Sequence, residues 1–311
     1  MKYIMSSKIV AYKKILAQTL LISLCLSCNP GEANNKNDSA KEETLTSPKG
    51  YDLTKPIEIK LPLELDEISG VAYHPEDTSV FAIQDENGLL YKIPLNNPQN
   101  IEKWEYRKGA DYEDVVLKGD RFYVLQSNGN ITAVKFYKAD SLAEKTTKFP
   151  FGKGNEFEIL YYDSSVQKLR MICKDCEEDK KKHLSSYFFD PVNFEYAEDS
   201  VKIDVKSIDN LMGKKKIKFK PSAAAIHPIT HELYIISSIN KLLVVVDNNT
   251  GIAKQVHSID KNLFKQPEGI TFTPGGTMII SNESAKIGVA NLLIFPYKTS
   301  MSATNLNDTS R

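Results

Sequence analysis

The sequence predicts an all-β chain: a five-bladed β-propeller of four-stranded antiparallel blades, with the ring closed by an N-terminal strand. Three observations carry this expectation. A unit of roughly 48 residues recurs along the chain, and repeats of that period mark radial or solenoid folds. Each unit has the same order: a short apolar strand, a turn, a stronger apolar strand, a polar turn and a third strand. The last unit lacks its outermost strand, while an unclaimed strand stands before the first. A β-sandwich is the main competitor, and the matched strong second strand of every unit favours the propeller.

The N-terminal segment precedes the fold. Lys2, Lys8, Lys13 and Lys14 are followed by an apolar run from Ile15 to Leu26. This is the layout of a secretory signal, and it is too short for a comfortable membrane span. It ends in Leu26-Ser27-Cys28, which resembles a lipobox, although Cys25 stands where an aliphatic residue is usual. Residues 1–27 are therefore expected to be a lipoprotein signal peptide and Cys28 the lipidated anchor. Residues 28–50 hold one leucine and no aromatic residue, so a flexible tether is expected. The propeller is expected over 51–298 and a loose tail over 299–311.

The closing strand is "PIEIKLPL", residues 56–63. The five units begin at Asp66, Asp111, Glu156, Lys220 and Gln266. Their second strands read "SVFAIQ", "RFYVLQ", "KLRMIC", "ELYIIS" and "TMIISN". Such β-branched and aromatic runs suit buried strands. Turns at His74-Pro75, Lys118-Gly119-Asp120, His227-Pro228 and Pro274-Gly275-Gly276 separate them from the first strands. Polar fourth strands are expected at "IEKWEYR", "AEKTTKF", "EDSVKID" and "IAKQVHS", because an outer edge should be polar.

The segments "DEISGVAYHPEDTSVFAIQDE", "DYEDVVLKGDRFYVL", "KPSAAAIHPITHELYIIS" and "PEGITF" with "MIISNE" resemble the SdiA-regulated family of bacterial envelope proteins. The resemblance spans about residues 58–297 and rests on the ordered set of motifs. It implies a five-bladed propeller distantly related to NHL-repeat propellers, a calcium site, no established enzymatic activity and a role in protein interaction. Fold alone does not settle function.

Aligning the first strands singles out one position, occupied by Ser69, Glu113, Glu158, Ser222 and Glu268. Two residues earlier stand Glu67, Asp111, Glu156, Lys220 and Gln266, on the same face by strand alternation. In a propeller the first strand of each blade lines the axis, so these positions form a ring. Carboxylates facing one another repel or share protons unless a cation sits among them. Oxygen donors suit calcium, and the ring position carries no histidine or cysteine to suit zinc or copper. The expected metal ligands are Glu113, Glu158, Glu268, Glu67, Ser69 and Ser222. The plainer alternative is that these acids cap backbone amides or meet bulk water. Asp114 is expected to point away from Glu113 as a surface or backbone-capping acid.

Other chemistry finds little support. Cys173 and Cys176 have thioredoxin-like spacing but end a strand, and the plain expectation is a local disulfide or two unremarkable thiols. His74, His227, His231 and His257 fall in turns or outer strands, with no hydrolase or zinc-protease motif around them. Lysine plus arginine and aspartate plus glutamate both number 40, so no net field draws nucleic acid. The lysine runs 180–182 and 214–216 are expected to be solvated loops.

The functional expectation is a lipid-anchored module of the cell envelope, outer-membrane or periplasm-facing. It holds calcium at the axis and binds an envelope protein or extracellular ligand. The rival is a calcium-dependent lactonase or esterase-like hydrolase, with Asp85, Glu86 or Glu283 as general base.

Overall fold

The computed structural model describes residues 45–138, 141–152, 154–179, 182–213, 217–284 and 288–299. The expected signal peptide, Cys28, the tether up to residue 44 and the tail from residue 300 lie outside the described residues.

Five four-stranded antiparallel sheets follow one another along the chain. Blade 1 comprises Ile68–His74, Ser79–Gln84, Leu89–Pro94 and Glu102–Glu105; blade 2 comprises Tyr112–Lys118, Arg121–Gln126, Ile131–Lys138 and Ser141–Thr147. Blade 3 is built from Glu156–Asp163, Lys168–Asp175, Ser186–Asp190 and Glu195–Glu198. Blade 4 uses Ala223–Ile226, Leu233–Ser237, Leu242–Val246 and Ala253–Ser258. Blade 5 takes Pro267–Phe272, Met278–Asn282 and Asn291–Phe295 from the end of the chain.

The fourth strand of blade 5 is Ile57–Lys60, paired antiparallel to the last strand with Ile57 opposite Ile294 and Lys60 opposite Asn291. The innermost strands touch in blade order, and that of blade 5 touches that of blade 1. The ring is closed as the sequence predicts, and the fold is a five-bladed β-propeller.

Second strands such as Ser79–Gln84, Leu233–Ser237 and Met278–Asn282 are buried at every residue. Each lies in mid-blade with a neighbouring blade on both faces, which is why its sequence is continuously apolar rather than alternating. The core is accordingly laid between blades. Phe81 and Phe122 meet at 4.5 Å between blades 1 and 2, Ile159 and Ile235 share the next layer but one, and Val80 and Ile279 share the layer where the ring closes. Burying each such side chain contributes about 1.5–3 kcal/mol. Outer strands such as Glu102–Glu105 stay largely exposed, as edge strands should.

Blade 3 departs from expectation. Its outer strand is Glu195–Glu198, ahead of the predicted "EDSVKID". The Asp190 carboxylate accepts from the amides of Val192 and Asn193, and the tight turn restarts pairing at Glu195 opposite Asp190. Asp199 then turns inward to meet Arg170 at 2.9 Å, which ends the strand. Ile203–Asp204 pairs instead with His183–Leu184 in a separate two-stranded ribbon. The ribbon leads into helix α1, Val205–Met212, which the strand grammar gives no hint of. Local chemistry explains the helix: Asp204 caps it by accepting from the Lys206 amide, and Gly213 ends it in the left-handed region at φ 62°.

Order also begins earlier than expected at the N-terminus. The Thr46 hydroxyl lies 2.8 Å from His257 Nδ1, and Tyr51 and Leu53 are buried between blades 4 and 5. His227 lies deeper than a turn histidine should. It is fully buried among Tyr51, Tyr234, Phe272 and Tyr297, and its Nδ1 accepts from the amides of Ile229 and Thr230.

Candidate site at the axial mouth

The aligned residues do stand at one end of the axis, and a β-bulge puts most of them there. Tyr112 pairs with Gln126 and Asp114 with Leu125, which leaves Glu113 as the extra residue. Glu158 is extra between the Phe157–Cys173 and Ile159–Ile172 pairs, and Glu268 between the Pro267–Asn282 and Gly269–Ser281 pairs. In blade 1, Ser69 and Gly70 occupy the bulge between Ile68 and Val71. A bulge re-aims the side chain of its extra residue, and bulges recur at barrel rims and sites.

The bulge also redirects Asp114. Of the two roles expected for it, the structure gives the backbone cap and not the surface: the carboxylate is buried, Oδ1 accepting from the Val115 amide and Oδ2 from the Leu160 amide of blade 3, both at 2.8 Å. Blade 1 approaches so closely here that a side chain at Gly70 would lie 2.5 Å from Asp114 Cα. Only glycine fits at that point.

Of the expected ligands, Glu158, Ser69 and Ser222 are buried, Glu113 and Glu268 half-buried, and Glu67 exposed. Ser222 is already engaged: its hydroxyl donates to the Pro267 carbonyl at 2.7 Å and accepts from the Ser238 amide at 3.2 Å. The mouth also holds groups that the alignment does not single out, Lys174 and Lys241 among them. Lys174, on the second strand of blade 3, pairs with Glu158 and, at 3.0 Å, with Glu156. Its only sequence signal is a lysine next to a cluster of acids that needs countercharge.

The remaining acids are electrostatically strained. Burial and the Asp111 charge push the Glu113 carboxyl up to about 8, against the pull of Lys174 and with added repulsion from Glu268 and Glu156. Burial pushes Glu268 up to about 7, opposed by a hydrogen bond from Ser238, while Glu283 adds repulsion and Lys174 and Lys241 offset it. Asp85 rises to about 6 through burial and the charges of Glu67, Glu86 and Asp111. Burial, then Asp85, raises Glu283, which accepts from Gln266 Nε2 at 2.9 Å. An acidic arc thus runs over blades 5, 1 and 2. The other side carries Lys174, Lys220 and Lys241 around a cavity of about 410 Å³ that Glu158, Ser222, Ser238 and Glu268 also line. The opposite end of the axis is apolar, a cavity of about 540 Å³ walled by Val116, Tyr162, Ile226 and Phe272 among others.

The side-chain oxygens at the mouth suit a hard cation, whereas the ammoniums of Lys174, Lys220 and Lys241 that share its lining offer no ligand atom and oppose one. The spacing is looser. Among the described residues, three ligand atoms of His, Cys, Asp or Glu come within 4.8 Å of one another only at Cys173, Cys176 and Asp179. Those two cysteines are joined in a disulfide, so that group offers no thiolate pair to a metal. At the axis the positive charge beside Glu158 is the Lys174 ammonium.

Comparison with known proteins agrees with the architecture. Myxococcus xanthus glutaminyl cyclase aligns with a TM-score of 0.54 at 16% identity, covering 79% of this chain and 97% of that one. A luciferin-regenerating enzyme gives 0.48 at 9% identity over 78% and 95% of the two chains. Staphylococcus aureus virginiamycin B lyase gives 0.42 at 10% identity over 79% and 89%. At 16% identity the likeness to the glutaminyl cyclase is one of fold alone. No curated protein sequence matches. The SdiA-regulated family matches residues 50–287, the span that contains all five innermost strands and the acids they carry at the mouth. The chain belongs to the SdiA-regulated family.

Proposed function

We propose that this propeller is a binding module of the cell envelope, anchored through a lipid on Cys28, whose axial mouth takes a calcium-type cation and presents a face to an envelope protein or extracellular ligand. The observation that carries the reading is the gathering of Glu113, Glu158 and Glu268 from three blades at one mouth, where Glu113 and Glu268 are pushed toward neutrality. A divalent cation would be held by these three carboxylates, with Glu67, Ser69 and Ser222 as neighbouring oxygens. It would supply the positive charge that relieves their repulsion.

The test is thermal unfolding of the full-length protein with calcium and with chelator, alongside metal analysis. Binding to the folded state raises the Tm. Equal Tm values in both conditions, for wild type and for Glu158→Gln, would remove calcium from the reading.

A second reading, a calcium-dependent lactonase or esterase, draws on one observation. Asp85 and Glu283 face the same acidic arc, and Asp85 at about 6 lies in the range of a working general base. Glu86, the third candidate, is exposed beside them. Calcium-dependent turnover of a lactone and ester panel, lost in Glu158→Gln, would promote this reading over binding.

A further inference from the structure

The strands of each blade run alternately up and down the axis. The turns after first strands and after third strands therefore fall at one end, away from the acidic mouth. Pro75, Pro228 and Pro274, from three of these turns, wall the apolar cavity there. The same end carries large apolar side chains in the open. Val166 and Ile229 stand in the turns after the first strands of blades 3 and 4. Tyr137, Val192 and Ile252 stand in or beside the turns after the third strands of blades 2, 3 and 4. Ile57 opens the outer strand of blade 5, opposite Ile294. Val192 is 81% exposed and Tyr137 74%. Apolar side chains scattered singly over a surface need no account, but six on one set of turns around an apolar cavity do.

Charge divides the two ends as well. The acids of the turn end are paired: Asp77 with Lys92, Asp120 with Lys135, Asp190 with Lys168 and Asp247 with Lys254. At the mouth, Glu113 and Glu268 are instead set among other acids. Bringing the turn end against a bilayer buries apolar surface and few unpaired charges, whereas the mouth would lose the hydration of its carboxylates. The bilayer is also within reach. Cys28 precedes Leu45 by 17 positions, and a chain of that length spans at most about 60 Å. Blade strands are five to eight residues long, so an anchor at Cys28 lets either end of the axis meet the membrane. Polarity makes the choice between them.

We infer that the turn end is a membrane-docking face, where Tyr137, Val192, Ile252 and their neighbours enter the bilayer interface and leave the acidic mouth facing water. Tyrosine suits this position, having an apolar ring and a polar tip. The inference rests on the anchoring proposed above and is independent of the cation.

The experiment places the full-length protein, as wild type and as Val192→Glu/Ile252→Glu, on phosphatidylcholine vesicles that contain a photoactivated carbene lipid. Unfolding curves establish that both proteins are folded, and labelled peptides are read by mass spectrometry. In wild type, peptides containing Tyr137, Val192 and Ile252 are expected to carry at least fivefold more label than those containing Leu63, Ile239 and Val289, which are exposed apolar residues at the mouth end. In the double variant the turn-end label should fall at least threefold, with label upstream of Leu45 unchanged. Label upstream of Leu45 with none on the propeller, or with equal label at its two ends, would overturn docking and leave the anchor standing. No label anywhere, on protein that does not float with the vesicles, would overturn both. Cross-links between the turn ends of two copies, in place of lipid label, would overturn docking in favour of self-association.

Discussion

Asp114 of blade 2 accepts a hydrogen bond from the backbone amide of Leu160 in blade 3 at 2.8 Å, and with its other oxygen it accepts from Val115. The carboxylate fastens two innermost strands together immediately beside Glu113. Two buried amides depend on it, and leaving a buried donor unsatisfied costs about 1–3 kcal/mol. Asp114→Asn keeps one acceptor but turns an NH2 group toward an N–H. It is expected to lower stability by about 1–3 kcal/mol in chemical denaturation. An unchanged midpoint would show that the fastening contributes nothing.

The axial acids predict an unusual response to pH. Glu113 and Glu268 rise to about 8 and about 7 on folding, above the ordinary glutamate value. Between about pH 4.5 and 8 the native state therefore holds protons that the unfolded chain has released, so stability falls as pH rises through this window. Asp85, at about 6, acts in the same direction. The chelated protein should show its highest Tm near the acid end of the window and a decline toward pH 8, with calcium flattening the decline. Asp77 works the other way at lower pH. Although burial raises it, its pairing with Lys92, Ser79 and His74 prevails and holds its carboxyl low, and that stabilisation is lost only in strong acid. A Tm that climbs steadily from pH 5 to 8 in chelator would contradict the assignment.

The Cys173–Cys176 disulfide closes a loop of four residues. Chain-entropy reasoning gives a bond across so short a loop a value of about 2 kcal/mol. The double substitution to serine is expected to reduce stability by about that amount while leaving the far-ultraviolet circular dichroism of the strands intact. Thiol titration of the denatured protein, with and without reductant, supplies the chemical check.

Anchoring through Cys28 makes a separate prediction. In cells fed an alkyne fatty acid, wild-type protein should take up the label and sediment with membranes, and Cys28→Ser should do neither. Equal sedimentation of the two would argue against a lipid on this residue.

Much of the ring was legible in the sequence because its signals are short-range. Turns such as His227-Pro228 and Pro274-Gly275-Gly276 space the units, and continuously apolar second strands follow from burial between blades. The missing outer strand of blade 5 and the spare strand at 56–63 pointed to each other, and Ile57–Lys60 does pair with Asn291–Phe295. Features that depend on contacts across strands were not legible. A bulge leaves no mark on a period of two, so alternation could set Asp114 apart from Glu113 as a backbone cap but could not place its carboxylate in the interior. Arg170 draws Asp199 inward from another strand, and this is what displaced the expected outer strand of blade 3. Lys174 matters because it reaches over to Glu158, a relation with no fixed spacing in the chain.

The pairing of Ile57–Lys60 with Asn291–Phe295 also sets the order in which the molecule can be completed. The segment synthesised among the earliest is the one whose partner arrives last, and such distant pairings are slow to form. Until residues 291–295 emerge, the strand at 57–60 has no sheet to join and blade 5 has an open edge. Blades 1 to 4 each draw all four strands from consecutive chain and can form as they appear. A nascent chain therefore passes through an open crescent of finished blades, with the seam as its final and least local step. Truncations upstream of Asn291 are the ones that would leave both edges bare.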